Sequence, residues 1–146
     1  MNDDAFKLVY NKALDIISRR EHSQKELTGK LLDKFSEEEI VNSVINNLVQ
    51  KNLLNDTRYS EAYVVSRKRK GFGPKKIMYE LISRGVIENI AYKAIENEGG
   101  WKDAALKAFN KKFKKGKAMD FKELNKQKTF LQNRGFSFEE IDSVFS

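Results

Sequence analysis

The strongest chemical signal in this sequence is a run of cations around a glycine-rich turn at residues 66–76. Cations grouped in this way attract polyanions such as nucleic acid or an acidic protein surface. Two of them, Lys75 and Lys76, fall in the first turn of a predicted helix, where the helix dipole disfavours positive charge. We interpret the run as the main candidate for an anion-binding surface, against the alternative of a solvated turn. Its basic side chains are those of Arg67, Lys68, Arg69, Lys70, Lys75 and Lys76.

A second basic segment lies nearer the C-terminal end. Residues 105–119 contain six lysines and no acidic residue, and residues 66–84 contain seven basic residues and one acid. Each segment carries +6, whereas the whole chain carries +7, so the rest of the protein is mildly acidic. Basic segments on an acidic body favour a polyanionic partner. The candidate contacts in the second segment are Lys111, Lys112, Lys114 and Lys115.

The sequence offers little for enzyme chemistry. It contains no cysteine and a single histidine, which excludes thiolate catalysis, cysteine-held zinc and a multi-histidine metal site within one chain. No phosphate-loop, dinucleotide-binding or nucleophile-elbow motif occurs. The histidine, His22, precedes the predicted helix cap Ser23, and we interpret it as a residue that packs against Leu27. We therefore expect no catalytic residue, no metal and no cofactor.

The elements that position these residues repeat with a period of about fifty residues. Apolar positions coincide when the chain is shifted by this length, as at Leu31, Leu81 and Leu131. The apolar stripes have the spacing of amphipathic helices, and no useful length alternates with a period of two. We predict an all-α protein with no sheet, an elongated array of three tandem three-helix modules. The predicted modules are residues 1–54, 55–99 and 100–146. The predicted helices are residues 4–20, 25–34, 37–51, 57–70, 74–84, 87–98, 101–115, 121–134 and 138–145.

Local signals mark the ends of these helices. Asp56 is predicted to cap the helix that follows it, and Gly85 and Gly135 fall where a helix ends in left-handed geometry. Capping boxes, each with a glutamate three residues later, are predicted at Ser23, Ser36, Asp120 and Ser137.

The repeat also extends the candidate site. One period before Arg69 and Lys70 lie Arg19 and Arg20, which we add as their counterparts in the first module.

Three-helix units invite comparison with helix-turn-helix proteins, in which the last helix enters the DNA major groove. Here the third helix of every block carries net negative charge, so its contact with phosphates is unfavourable. Base reading by these helices is therefore not expected. Aromatic residues on the first helices, at Tyr59, Tyr63, Phe109 and Phe113, coincide under the repeat and are interpreted as core, and Phe72 as a packing residue of the turn.

No apolar run approaches the roughly 20 residues that span a bilayer. The sequence begins with acidic residues, unlike the basic start of a signal peptide. We expect a soluble cytoplasmic protein without membrane contact.

Two segments together resemble the RecX family. The first is residues 54–64 (LNDTRYSEAYV), followed by Arg67, residues 71–77 (GFGPKKI) and residues 80–86 (ELISRGV). The second is residues 14–27 (LDIISRREHSQKEL), followed by Lys30 and Leu31. The resemblance covers the first two blocks closely and the third by pattern only. Asn55, where the family usually has aspartate, and Tyr59-Ser60, where it commonly has Phe-Ala, are mild departures that bear on capping and packing.

The resemblance implies an all-helical bacterial regulator with three three-helix modules and no enzymatic activity. RecX proteins bind the RecA recombinase, especially its filament on single-stranded DNA, and usually restrain its ATPase, strand-exchange and coprotease activities in recombination, repair and the SOS response. Some also touch DNA, so weak direct contact with single- or double-stranded DNA is a further expectation, and we expect a monomer. The residue types alone leave two other functions open. The first is a stand-alone, non-specific DNA-binding protein, and the second and weakest is an enzyme.

Overall fold

The computed structural model describes residues 3–146, and this range contains nine α-helices and no β-strand. The predicted all-helical fold is confirmed. The helices are α1 (Asp3–Ile17), α2 (Gln24–Leu32), α3 (Glu38–Gln50), α4 (Asp56–Arg69), α5 (Pro74–Ser83), α6 (Glu88–Glu98), α7 (Trp101–Lys112), α8 (Phe121–Asn133) and α9 (Phe138–Phe145). None of the helices within residues 3–146 is long and apolar enough to cross a membrane.

The nine helices form three modules with the same internal packing. In each module the third helix contacts both the first and the second, as α3 does with α1 and α2. The apolar stripes found in the sequence are the surfaces that pack, and Leu31, Leu81 and Leu131 are all fully buried. The repeat therefore marks equivalent core positions, and the predicted three-module architecture is confirmed.

The three modules contain two hydrophobic cores between them. The first module has its own core, which includes Val9, Leu27 and Leu48. The second and third modules share one core, in which Ile77 of α5 and Phe136, just before α9, belong to the same cluster. The accessible surface is 9345 Å², whereas a compact monomer of this mass would expose about 7,700 Å². The excess is the surface of an open array of modules.

The second helices of the modules stack end to end. At the start of α5, Gly73 N donates to Arg134 O at 2.7 Å and Lys75 N donates to Gly135 O at 2.9 Å, so α5 begins on the end of α8. At the start of α2, Ser23 Oγ donates to Arg84 O at 2.8 Å, so α2 begins on the end of α5. Free N–H groups and cap hydroxyls at one helix start thereby satisfy free carbonyls at another helix end.

Glycines allow these two junctions to close. Gly85 and Gly135 follow α5 and α8 with φ of +85° and +98°, and each touches a lysine of the next stacked helix. A Cβ at Gly135 would lie 2.6 Å from Lys76 N. Phe35 is the matching residue after α2 in the repeat. Its side chain packs against the core of the first module instead.

The structure confirms two predicted capping boxes and corrects two caps. Ser23 and Ser137 each make both bonds of the box. Ser36 does not cap α3, because the N-cap of this helix is Glu37, which makes no side-chain cap hydrogen bond. Asp56 is not the cap of α4. Asn55 caps it by accepting from Arg58 N at 2.9 Å, and Asp56 instead accepts from Gln24 N of the first module at 2.8 Å.

At the remaining helix ends, the structure differs in detail from the prediction. Asp120 caps α8 by accepting from Glu123 N at 3.3 Å. Two helices end three residues earlier than predicted, α1 at Ile17 and α7 at Lys112. After α7 the chain turns through Gly116, with φ of +82°, to reach α8. Phe113 there packs against Phe109 instead of continuing the helix.

Candidate anion-binding surface

The cation-rich turn connects α4 to α5. Helix α4 ends at Arg69, and Gly71, with φ of +93°, reverses the chain. Phe72 N donates to Arg67 O at 3.1 Å, which closes the end of the helix. Gly73 then serves as N-cap of α5, with proline at the first helical position as predicted.

Arg67 is committed to an internal ion pair. Its Nε and Nη2 donate to the two carboxylate oxygens of Glu80 at 2.9 and 2.8 Å, and its guanidinium lies 3.8 Å from the centre of the Phe72 ring. Tyr63 Oη also donates to Glu80 at 2.8 Å. Burial alone would raise the pKa of Glu80, but the hydrogen bonds from Arg67 and Tyr63 outweigh it and lower the pKa. Arg67 therefore holds α4 to α5.

Replacing Arg67 with alanine is expected to destabilise the fold by about 2 kcal/mol, because Glu80 would lose its charge partner in a site where its side chain is only 16% exposed. The matched control is Arg69→Ala on the same helix turn, which removes an exposed side chain and should cost about 0.5 kcal/mol or less. Urea denaturation of both variants measures the difference, and equal stabilities would contradict this role of Arg67.

The ion pair of Arg67 and Glu80 also makes the folding stability depend on pH. Since the pKa of Glu80 is lowered on folding, the stabilisation is present above the unfolded carboxyl pKa of 4.5 and is lost as the pH falls through the folded value. The difference between the two variants should shrink in acid.

Lys68 is also held by internal contacts. Its Nζ donates to Glu98 Oε2 at 3.0 Å and to Gly99 O at 2.9 Å, at the end of α6. It also lies 5.5 Å from the centre of the Trp101 ring. Its place in the cationic run predicts an exposed side chain, and that prediction is wrong, because Lys68 links α4 to the connection between α6 and α7.

Lys75 and Lys76 each lie near an aromatic ring. Lys75 is exposed, with Nζ 5.7 Å from the centre of the Phe138 ring, and Lys76 is half-buried, with Nζ 5.4 Å from the Phe72 ring. The cationic run also predicts an exposed Lys76, and that prediction is wrong. The helix dipole disfavours Lys75 and Lys76 less than the sequence indicates, because α5 begins on the carbonyl end of α8, whose negative partial charge offsets the cost of cations there.

Arg69 and Lys70 of the turn face a groove shared by the second and third modules. This groove has a volume of about 400 Å³ and lies between the end of α4 and helix α7. Its apolar floor includes Val65, Ala104 and Ala108. Five basic and two acidic residues line it: Lys68, Arg69, Lys70, Lys107, Lys111, Glu98 and Asp103. We call this feature the cationic groove.

Two of the five cations in the cationic groove are neutralised locally. Lys68 contacts Glu98 at 3.0 Å, and Lys107 contacts Asp103 at 3.6 Å. The other three, Arg69, Lys70 and Lys111, are exposed and contact no carboxylate within residues 3–146. The excess positive charge of the groove therefore comes from these three side chains.

The chain matches the models of one known protein family along most of its length. Models of the first, second and third three-helix domains of RecX match residues 10–48, 55–95 and 102–145. A regulatory protein RecX of Vibrio campbellii is 41% identical over 92% of this chain and 87% of its own. The chain belongs to the RecX family. Its role is accordingly that of a RecX regulatory protein.

Two further relatives agree with this assignment. A regulatory protein RecX of Pseudomonas tolaasii is 35% identical over 98% of this chain and 93% of its own. The crystal structure of RecX from Lactobacillus salivarius has a TM-score of 0.81 and 26% identity, and the match covers 98% of this chain and 96% of that one. The RecX fold therefore extends through the third block, where the sequence resemblance rested on pattern alone.

The other candidate residues of this RecX chain lie outside the cationic groove. Lys112 is exposed, with Nζ 5.8 Å from the centre of the Phe130 ring. Lys114 and Lys115 are exposed in the turn after α7. Arg19 and Arg20 are exposed after α1 and contact Asp15 and Glu26, respectively. The structure therefore places Lys111 in the same groove as Arg69 and Lys70, whereas these five residues lie elsewhere.

Two further cations line the cationic groove or hold its turn in place, and neither was among the predicted site residues. Lys107 lies in the second basic segment, one turn before Lys111, and helical spacing could have paired the two. Arg134 lies 4.9 Å from the Phe72 ring and 4.8 Å from the Phe130 ring, and its Nη1 donates to Lys70 O at 3.3 Å. The repeat aligned Arg134 with Arg84, but it gave no sign that Arg134 fixes the cationic turn to α8.

Within residues 3–146 no group of three or more histidine, cysteine, aspartate or glutamate side chains could hold a metal ion. The aromatic residues interpreted as core lie in the shared core or against it, with Tyr59 and Phe109 buried and Tyr63, Phe72 and Phe113 partly buried.

Proposed function

We propose that this RecX-family protein binds the RecA filament on single-stranded DNA and restrains its ATPase, strand-exchange and coprotease activities. The chain acts as a monomer in the bacterial cytoplasm and catalyses no reaction itself. The proposal joins the family membership with a surface suited to a polyanionic partner.

The observation that carries the proposal is the convergence of Arg69, Lys70 and Lys111 in the cationic groove. These side chains come from two modules, and no carboxylate within residues 3–146 contacts them. Unpaired cations over an apolar floor attract phosphate groups or acidic side chains, and a nucleoprotein filament carries both. Regulation follows if an occupied groove changes how RecA subunits contact DNA or one another.

The open arrangement of modules supports a large partner. Repeat-built chains expose extended surfaces because each module contacts mainly its neighbours. Here the surface is 9345 Å², well above the roughly 7,700 Å² of a compact protein of this size. Such a chain can contact several filament subunits at once.

One observation favours a second candidate function, non-specific DNA binding without RecA. The unpaired cations of the cationic groove would bind the phosphates of any nucleic acid. Three phosphate contacts would give a salt dependence with a slope of about −3 in log affinity against log salt for duplex DNA, and somewhat less for single strands. Both functions use the same groove, so the partner must be determined by experiment.

Addition of the protein to a RecA ATPase assay on single-stranded DNA tests the proposal. We expect ATP hydrolysis by RecA to fall as the protein is added, and no ATP turnover by the protein alone. The control raises the DNA concentration at fixed RecA. Inhibition that persists supports action on the filament, inhibition that disappears supports capture of free DNA, and unchanged hydrolysis at saturating protein contradicts the proposal.

A further inference from the structure

A second cationic feature lies in the first module, apart from the cationic groove. It is a depression of about 300 Å³ between the C-terminal half of α1, the turn that follows it, and Lys30 in the last turn of α2. We call it the first-module depression. Its lining consists of Lys12, Asp15, Ile16, Arg19, Arg20, His22 and Lys30.

The cations of the first-module depression are incompletely neutralised. Asp15 contacts both Lys12 and Arg19, at 3.8 and 3.2 Å, and Arg20 contacts Glu26 at 3.3 Å. Lys30 contacts no carboxylate within the described range 3–146, and its Nζ lies 2.8 Å from His22 Nε2. A lysine whose only polar partner is a neutral ring leaves its positive charge available to an anion.

The hydrogen bonds of His22 fix which ring nitrogen carries the proton. Nδ1 lies 3.0 Å from Arg20 O, and a carbonyl can only accept, so Nδ1 donates. Nε2 is then free to accept from Lys30 Nζ, and the ring is neutral. The side chain is 2% exposed. Burial is the main cause that lowers the pKa of His22 below 6.5, and the positive charges of Arg20 and Lys30 lower it further. The hydrogen bond to Arg20 O and the negative charge of Glu26 raise the pKa, but they do not offset this lowering.

Comparison with the second module shows what is unusual here. One period after His22 and Lys30 lie Phe72 and Glu80, and one period after Ile17 lies Arg67. In the second module Arg67 and Glu80 close an ion pair against Phe72. In the first module a lysine replaces the glutamate and an isoleucine replaces the arginine. Neither partner of that ion pair is kept, and a cation stands where the second module has its carboxylate, so an external anion can supply the charge that would balance Lys30.

We propose that the first-module depression is a separate binding site for a phosphate oxyanion, held by Lys30 with Lys12, Arg19 and Arg20, and that His22 takes up a proton when the anion binds. A protonated imidazole no longer accepts from Lys30, so the ammonium group turns into the depression and meets the anion. The proton comes from solvent. This inference does not rest on the proposed action on RecA.

Binding should strengthen as the pH falls. The charged groups that face His22 and the depression are Lys12, Asp15 and Arg19 from α1, Arg20 from the turn, and Glu26 and Lys30 from α2. Of these groups and His22, only the histidine has a reference pKa near neutrality. A bound anion raises the pKa of His22 toward or above 6.5, so affinity rises as the pH falls through the interval between the free and bound values.

The test follows the imidazole signals of His22 by NMR, since it is the only histidine in the chain. One arm adds inorganic pyrophosphate, and the other adds an oligothymidylate to the variant R69E/K70E/K111E, whose cationic groove is disabled. A raised His22 pKa with pyrophosphate alone assigns the site to small phosphorylated molecules. A raised pKa with the oligonucleotide assigns it to the phosphodiester backbone of nucleic acid. Either result supports the site.

Matched variants locate the binding. Lys30→Met should weaken it about tenfold or more, whereas Lys34→Met, on an exposed lysine outside the depression, should leave it unchanged. Arg19→Gln, which alters an exposed side chain, serves as the second variant if Lys30→Met folds poorly. An unchanged His22 pKa with both ligands overturns the proposal, as does binding that is equal in the parent and the depression variants.

Discussion

Replacement of Gly73 with alanine is expected to cost about 3 kcal/mol or more of folding stability, because the added methyl group overpacks the junction between two helices. The added Cβ would lie 2.5 Å from Gly135 C and 2.6 Å from Phe136 N, and both are backbone atoms that cannot move aside alone. The junction of α5 with α8 would open, with loss of the bonds from Gly73 N to Arg134 O and from Lys75 N to Gly135 O.

Thermal or urea denaturation measures this effect, and the melting temperature should fall by about 10 °C. The control is Gly29→Ala within α2, where a Cβ meets nothing within 4 Å. That change should raise stability by about 0.5–1 kcal/mol, because alanine favours the helix. A Gly73→Ala protein as stable as the parent would show that the end-to-end stacking of helices contributes little.

Charge reversal in the cationic groove is expected to produce the largest loss of binding. The variant R69E/K70E/K111E changes the three exposed cations of the groove, which contact no carboxylate within residues 3–146, so folding should be nearly unaffected. Affinity for the RecA filament should fall by about tenfold or more, which is about 1.4 kcal/mol. If the groove meets phosphates, the slope of log affinity against log salt should also become shallower by up to about 3.

The matched control for the groove variant is K112E/K114E/K115E. It reverses three exposed lysines that lie outside the cationic groove, so the net charge changes equally. A smaller loss in this control separates the groove from a general effect of charge. A greater loss would move the principal contact to the turn after α7.

Much of the fold followed from the sequence because its signals are local. Amphipathic stripes and the repeat predicted nine helices with bounds close to the observed ones. The capping boxes predicted at Ser23 and Ser137 also form. The errors came from competition between neighbours. Asn55 and Asp56 can both cap α4, and only the approach of Gln24 from the first module determines which one does.

The candidate site was less predictable because it depends on tertiary contacts. In the sequence, Arg67 and Lys68 look equivalent to Arg69, but Glu80 and Glu98 hold the first two in place. The sequence also separated the basic segments that the structure joins, since the cationic groove forms only when α7 packs beside the end of α4. Counting cations along a chain cannot distinguish those that stabilise the fold from those free to bind.

The most direct test of the proposed function compares the affinity of the parent protein for the RecA–single-stranded DNA filament with its affinity for bare single-stranded DNA, at one physiological salt concentration. We predict binding to the filament that is tighter by about tenfold or more. Equal affinity, or tighter binding to bare DNA, would contradict an action on the filament and favour the DNA-binding alternative.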